Sequence, residues 1–438
     1  NAFLGQPLRI DTRPSLQTAP ILRTAMKHNS STGTHAGSLG QLLELTGPFR
    51  FLREPGGWFF AALALGLGVR LYLLLATPGT TDMLIWDMHA RGVSEQGLIP
   101  YYHVGRKFWH PPFVSSLLGS LWDFAVYWGF DFAALFRGLF GLFDIGCAVL
   151  LFFVLRDRPQ RYAIAALYWI NPVAILLSSY HGNTDTAVAF FLLAAALAAA
   201  RRRAAWAGAF LGLGLWFKVP ILLGAPALLF AIPGWRERIF CGLVAFAVGL
   251  STYLPVLIID PEILVRRLNY GGQILHTTAG IPVWGIWSVL PEPADGFATL
   301  YDRWNTVIFA VPVLFVSWMR RHRNEAPEIG RTIGLCYCLV YGLTTRWAFQ
   351  YFAWSVPFWL LCGWPIAVAT TLAASAYLYG LYAYLCGNLF LQGRWDFVGH
   401  PIWPRTLIGL RNASVIVFFA SGLAAIASAS REALRNGK

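Results

Sequence analysis

An acidic helix start, Thr80-Thr-Asp-Met-Leu-Ile-Trp-Asp-Met-His-Ala-Arg-Gly92, stands in a chain otherwise short of charge. Asp82 follows the turn-forming run Pro78-Gly79-Thr80-Thr81, and helical spacing sets Asp82, Trp86, His89 and Val93 on one face. Asp87 falls on another face, four residues before Arg91, where an i,i+4 ion pair accounts for it. Two readings are open for Asp82: a helix N-cap, or a general base that faces a cavity and meets a hydroxyl. Asp185 opens an apolar segment, as a cap or as a second carboxylate that orients a reactant or shares a cation. Lys218 is the one lysine inside an apolar span, beside the helix-breaking Pro220. A lysine facing lipid is expensive, so it points inward, toward a phosphate or toward Asp144 or Asp185. Arg346 offers a planar fork for phosphate oxygens, or anchors the chain at the membrane interface. His110 is held by Pro111 and Pro112 and can meet phosphate, a metal or a structural partner, while Arg106 and Lys107 just before it read as surface anchors or phosphate contacts.

These residues need elements to carry them, and composition names the kind. Of 438 residues 57% are hydrophobic and 13% charged, with mean hydropathy +0.54. Soluble domains carry about 25% charged residues. Apolar runs of about 18 residues or more, the length that crosses a core of about 30 Å, recur along the chain. The expectation is an all-α, polytopic bundle of roughly 10–13 membrane spans. Residues 51–438 form its single embedded domain, after a loosely ordered leader over 1–50. Clusters at Arg50/Arg53, Arg156–Arg161, Arg201–Arg203, Arg236/Arg238, Arg320–Arg323 and Arg431/Arg435 mark one side of the membrane. The segments 77–111, 180–185, 260–305, 345–351 and 392–406 then fall on the other, external side. One tension follows: residues 112–155 hold two apolar pieces yet must cross an odd number of times.

The net charge of +13 suits anionic lipid and phosphate, whereas scattered arginines argue against nucleic acid. Cys147, Cys241, Cys336, Cys338, Cys362 and Cys386 all lie in apolar stretches and read as small core residues. Arg137 and Asp144, seven apart, read as a buried ion pair, and Asp123 as structural. The loop 260–305 carries Arg266, Arg267, Tyr270, His276, Trp284 and Trp287. Its Ile281-Pro-Val-Trp-Gly-Ile-Trp287 run suits a lid or an aromatic belt, with contact to a reactant as a second role for Trp284.

The order of motifs resembles the GT-C superfamily of integral membrane glycosyltransferases. It runs from Asp82 and Trp86 through Gly97-Leu-Ile-Pro-Tyr101 to Trp109-His110-Pro111-Pro112. Asn171-Pro172 followed by Tyr180-His181-Gly182-Asn183-Thr184-Asp185 is similar to the family's "N-P … W-G-Q-x-D" stretch, with His-Gly-Asn in place of Trp-Gly-Gln. Gly212-x-Gly214-x-x-x-Lys218-x-Pro220 and Arg346-Trp-Ala-Phe-Gln350-Tyr351-Phe-Ala-Trp354-Ser-Val-Pro357 resemble two later stretches, so the likeness covers residues 57–360.

The resemblance implies an interfacial helical first external loop, 77–111, carrying the catalytic aspartate Asp82 with Asp185 as second carboxylate. It implies transfer of a sugar, mannose above all, from a polyprenyl-phosphate donor to a glycan or glycolipid acceptor. Arg346, Lys218, His110 and Lys107 would hold donor phosphate; Trp86, His89, His181, Asn183, Gln350, Tyr351 and Trp284 would line the substrates. A divalent cation, Mg²⁺ or Mn²⁺, is an open addition through Asp82, Asp185 and His110. A monomer in a bacterial plasma membrane with an external active face is expected. Two other readings stand beside it: a polymerase or ligase using diphosphate-linked glycan, and a proton-coupled lipid or solute transporter.

Overall fold

The computed structural model describes residues 55–105, 110–263, 284–289, 295–396 and 402–436. The leader 1–50, Arg106, Lys107, and Arg266, Arg267, Tyr270 and His276 of the 260–305 loop lie outside the described residues.

Every described element is helical. In order come α1 (Pro55–Ala76), α2 (Thr81–Gln96), α3 (Leu98–Val104), α4 (Pro112–Trp128), α5 (Phe132–Val154), α6 (Arg161–Trp169) and α7 (Pro172–Ile175), which runs into a π-helical turn, Leu176–His181. Then follow α8 (Asp185–Ala200), α9 (Ala204–Leu215), a 3-10 turn Val219–Leu223, α10 (Ala225–Ala231), α11 (Trp235–Ser251) and α12 (Leu254–Ile259). After these come α13 (Asp295–Met319), α14 (Ala326–Leu343), a 3-10 turn Phe349–Trp354, α15 (Val356–Trp359), α16 (Trp364–Cys386) and α17 (Arg405–Asn436).

Four of these helices are long and apolar enough to cross a membrane: Gly57–Ala76, Phe132–Val154, Trp364–Cys386 and Arg405–Glu432. The pair Arg161–Trp169 and Pro172–His181, bent by 41°, makes a fifth if it counts as one span. Punctuation explains why other apolar runs are shorter. Pro172 sits at the start of α7 behind an Asn171 cap. Pro220 turns the chain into 3-10 geometry after α9. Proline lacks the N–H that a continuing helix requires.

The two apolar pieces in residues 112–155 are placed differently. Helix α4 packs along α2, with Trp86 against His110 at ring centroids 4.2 Å apart near one end and Ser94 donating to Asp123 at the other. Gly119 lets Val93 approach between them. Helix α5 instead runs antiparallel to α1: Arg137 meets the carbonyls of Leu73 and Thr77, and Asp144, further on, meets Arg70. Of the two apolar pieces, α5 with 23 residues is among the helices long and apolar enough to cross, and α4 with 17 residues is not.

The expected Arg137–Asp144 pair does not form. Seven residues separate them by about 10 Å along the axis, beyond direct contact. Asp144 pairs with Arg70 at 2.9 Å and accepts from Tyr168 Oη at 2.7 Å. Arg137 is spent on main-chain carbonyls of Ala133, Leu73, Leu74, Thr77 and Ser179, which ties the end of α1 to the π turn. All six cysteines are free and buried.

Candidate active site

Helix α2 begins where Thr80 caps it: the Thr80 hydroxyl accepts from the Asp82 N–H at 3.3 Å and donates to the His181 carbonyl at 3.0 Å. The cap is therefore Thr80, which frees the Asp82 carboxylate for another partner. Met83, Trp86, His89, Ala90 and Val93 are buried, and Asp82 is half-buried on the same side. Leu84, Ile85 and Met88 are exposed. Apolar groups on both faces suit a helix resting at a membrane interface. Asp87 and Arg91 pair at 3.3 Å.

The Asp82 carboxylate meets His181 from across the fold: Oδ2 lies 3.0 Å from Nε2. His181 ends the π turn, and its other ring nitrogen, Nδ1, lies 2.7 Å from Tyr382 Oη on α16. One extra residue per turn is what a π turn contributes, and such turns recur at functional sites. Gly182 then reverses the chain with φ of 73°, a left-handed conformation open to glycine. Burial pushes the Asp82 carboxyl up, but the hydrogen bond from His181, with the electrostatic pull of that ring and of the Lys218 ammonium, outweighs this and holds it below its ordinary value of 3.8.

Asp185 stands at the first residue of α8, buried, with Lys218 Nζ 2.8 and 2.7 Å from its two oxygens. Lys218 also donates to Asn183 Oδ1 at 3.2 Å. The indole N–H of Trp354 donates to Asp185 Oδ1. Of the partners open to Lys218, Asp185 is the one it takes, so its charge is already balanced. Five residues of chain, His181 to Asp185, join the two clusters.

His110 sits against Trp86. Burial first, then the charges of Lys218 and His89, push its imidazole well below 6.5, so it is neutral near pH 7. A neutral ring can donate one hydrogen bond to an anion but brings no positive charge. His89 is buried with Nδ1 2.8 Å from Tyr101 Oη.

The remaining expected residues are placed as follows. Arg346 is half-buried; its main chain is bracketed by the Thr344 hydroxyl, which accepts from its N–H and donates to its carbonyl, both at 3.1 Å. Gln350 is half-buried on the turn that also sends Trp354 to Asp185. Tyr351 stacks on Trp354 at 4.1 Å. Trp284 is fully buried, stacked on Trp347 at 4.1 Å and donating to the Tyr341 carbonyl at 2.7 Å. It is an internal core ring in this structure, with no surface to offer a reactant. Among the described residues no group of three or more His, Cys, Asp or Glu side chains gathers closely enough to hold a metal ion.

The site thus brings together Asp82, His181, Asn183, Asp185 and Lys218, with Trp86 and His110 alongside. Three members come from outside the expected set. Trp354 lay within a quoted motif, so its aromatic N–H was a readable signal. Tyr382 carried none: it is one of several tyrosines in an apolar helix, 201 residues from His181. Trp395 also joins, its ring 6.5 Å from His181 and its carbonyl accepting from the Thr81 hydroxyl. The chain matches no family model, no curated protein and no solved structure.

Proposed function

We propose that the protein is a membrane glycosyltransferase of GT-C type that uses a polyprenyl-phosphate sugar, mannose in the first instance. The acceptor is a lipid-linked or cell-envelope glycan on the external face of a bacterial plasma membrane. The observation that carries this reading is Asp82: an ionised, half-exposed carboxylate at the start of an interfacial helix, anchored on one oxygen by a buried histidine. In the reaction, Asp82 takes the proton of the acceptor hydroxyl as its oxygen attacks the anomeric carbon. The bond from that carbon to the phosphate oxygen breaks, and its electron pair leaves on the phosphate. With one carboxylate acting as base, a single displacement inverts the anomeric centre.

The Lys218–Asp185 pair supports a positioning role for Asp185 in place of a second base, since both its oxygens are engaged. Lys218, although balanced, also donates to Asn183 Oδ1 at 3.2 Å. Arg346 is the cation best suited to the developing phosphate charge, as a bidentate donor. A divalent cation remains compatible with this scheme as an added phosphate partner.

A transporter is the second reading, and one observation favours it: helices are broken at Asn171-Pro172 and at Lys218–Pro220, and the second break carries the buried Lys218–Asp185 pair. The deciding experiment offers purified protein a panel of synthetic polyprenyl-phosphate sugars, comparing wild type with Asp82→Asn. Transfer by wild type and a loss of about 10²-fold or more in Asp82→Asn is expected for removal of a general base. Full activity in Asp82→Asn would remove the base assignment. No transfer from any monophosphate donor, with uptake in proteoliposomes, would favour transport.

A further inference from the structure

His181 is 1% exposed and Tyr382 is fully buried, yet both ring nitrogens of the histidine are engaged. An ionised carboxylate only accepts, so the hydrogen on the Asp82 side belongs to Nε2. A neutral imidazole carries one ring hydrogen, so Nδ1 is then the acceptor and Tyr382 Oη the donor. The direction of the whole chain follows: Tyr382 donates to His181, and His181 donates to Asp82 Oδ2. Three elements are tied by it, α16, the π turn and α2, while Thr80 fixes the same histidine through its carbonyl at 3.0 Å.

We propose that His181 and Tyr382 are positioning residues: Tyr382 fixes the hydrogen on His181 Nε2, which binds Asp82 Oδ2 and leaves Oδ1 as the oxygen that receives the proton. The family resemblance placed His181 against a substrate; with both nitrogens committed inside the protein, its work is done through Asp82. The proposal rests on Asp82 as base for its catalytic meaning, but the chain itself is testable without turnover.

Among the described residues, the ionisable groups facing this carboxylate are His181 from the π turn, Tyr382 from α16 and Lys218 beyond α9, the last balanced by Asp185. Arg137, close to Gly182, is committed to main-chain carbonyls. Removing the His181 donor therefore takes away the nearest stabilisation of the ionised form.

The test is an infrared titration of the Asp82 carboxyl in the full chain in lipid nanodiscs, with the band assigned by its absence in Asp82→Asn. In His181→Leu the midpoint should rise by about one pH unit, the size of a lost hydrogen bond to a carboxylate. His181→Gln, whose amide N–H can stand where Nε2–H stood, should recover most of that shift. Tyr382→Phe should give a smaller rise in the same direction. If His181→Leu does not fold, the His181→Gln and Tyr382→Phe pair still decides. An unchanged midpoint in Tyr382→Phe together with a His181→Gln midpoint as high as any lost-donor variant overturns the proposal. Shifted midpoints combined with wild-type transfer by Asp82→Asn would leave the chain standing and remove the sugar-transfer reading. Unshifted midpoints with an inactive Asp82→Asn would do the reverse.

Discussion

Lys218 and Asp185 are a nearly buried pair, with side chains 14% and 1% exposed. Such a pair is worth little against an apolar replacement, but breaking it strands a charge. Asp185→Asn is therefore expected to lower stability by about 3–5 kcal/mol. Lys218→Met with Asp185→Leu should recover part of it, read as thermal unfolding in one detergent. His110 makes a second residue-level prediction. Its folded form stays neutral well below 6.5, whereas the unfolded chain takes up a proton there, so stability should fall as pH drops below 6.5. His110→Gln should flatten that slope. Asp82 acts in the same direction at lower pH: its contribution is full above 3.8 and is lost as pH falls from there toward its depressed folded value. Spacing of 3.6 residues made the Asp82, Trp86, His89 and Val93 face readable, because it depends on one local helix. It made Arg137 and Asp144 look like partners for the same reason, and there local periodicity misled: the partner, Arg70, lies on another helix.

The short element Pro172–His181 is where the local code does most to shape the site. Asn171 caps it, accepting from Val173 N–H at 2.9 Å and from Ala174 N–H at 3.4 Å. Pro172 follows at the position where a proline is best tolerated. Asn171→Ala is expected to cost about 1 kcal/mol, measured by denaturation, since a lost cap costs that much in other helices. The Asn-Pro break could be read from sequence, because proline and a capping side chain are local signals. The π turn behind it could not be read, since nothing in Leu-Leu-Ser-Ser-Tyr-His sets one hydrogen-bond register over another; packing against Tyr382 and Asp82 does. The same split holds at Lys218. The helix break there was legible from Pro220, whereas the choice of Asp185 over Asp144 was not.

For the molecule as a whole, the helical, membrane-spanning character followed from composition, and α1, α5, α16 and α17 are the long apolar helices that carry it. Counting crossings was harder, because prolines, glycines and short helices break apolar runs into pieces whose direction only tertiary contacts define. The order of contacts along α1 and α5 gives a prediction about sidedness. Single cysteines at Glu95 and Asn388 should react with an impermeant thiol reagent from one face of a sealed vesicle. Cysteines at Arg158 and Arg201 should react from the opposite face. Because all six native cysteines are buried, background labelling should be low. Labelling of all four from one side would overturn the arrangement.

Met83 fills a narrow gap between two bare stretches of backbone. A Cβ on Gly182 would lie 2.1 Å from its sulfur, and one on Gly79 2.9 Å from its Cγ, with both glycines in left-handed geometry. Together with the Thr80 hydrogen bond to His181, this makes the start of α2 and the end of the π turn one mechanical part. Asp82 and His181 then travel together, and a lever that moves one carries the other. Any motion of this region has its hinge outside the joint, so the Asp82 carboxylate keeps its orientation toward His181.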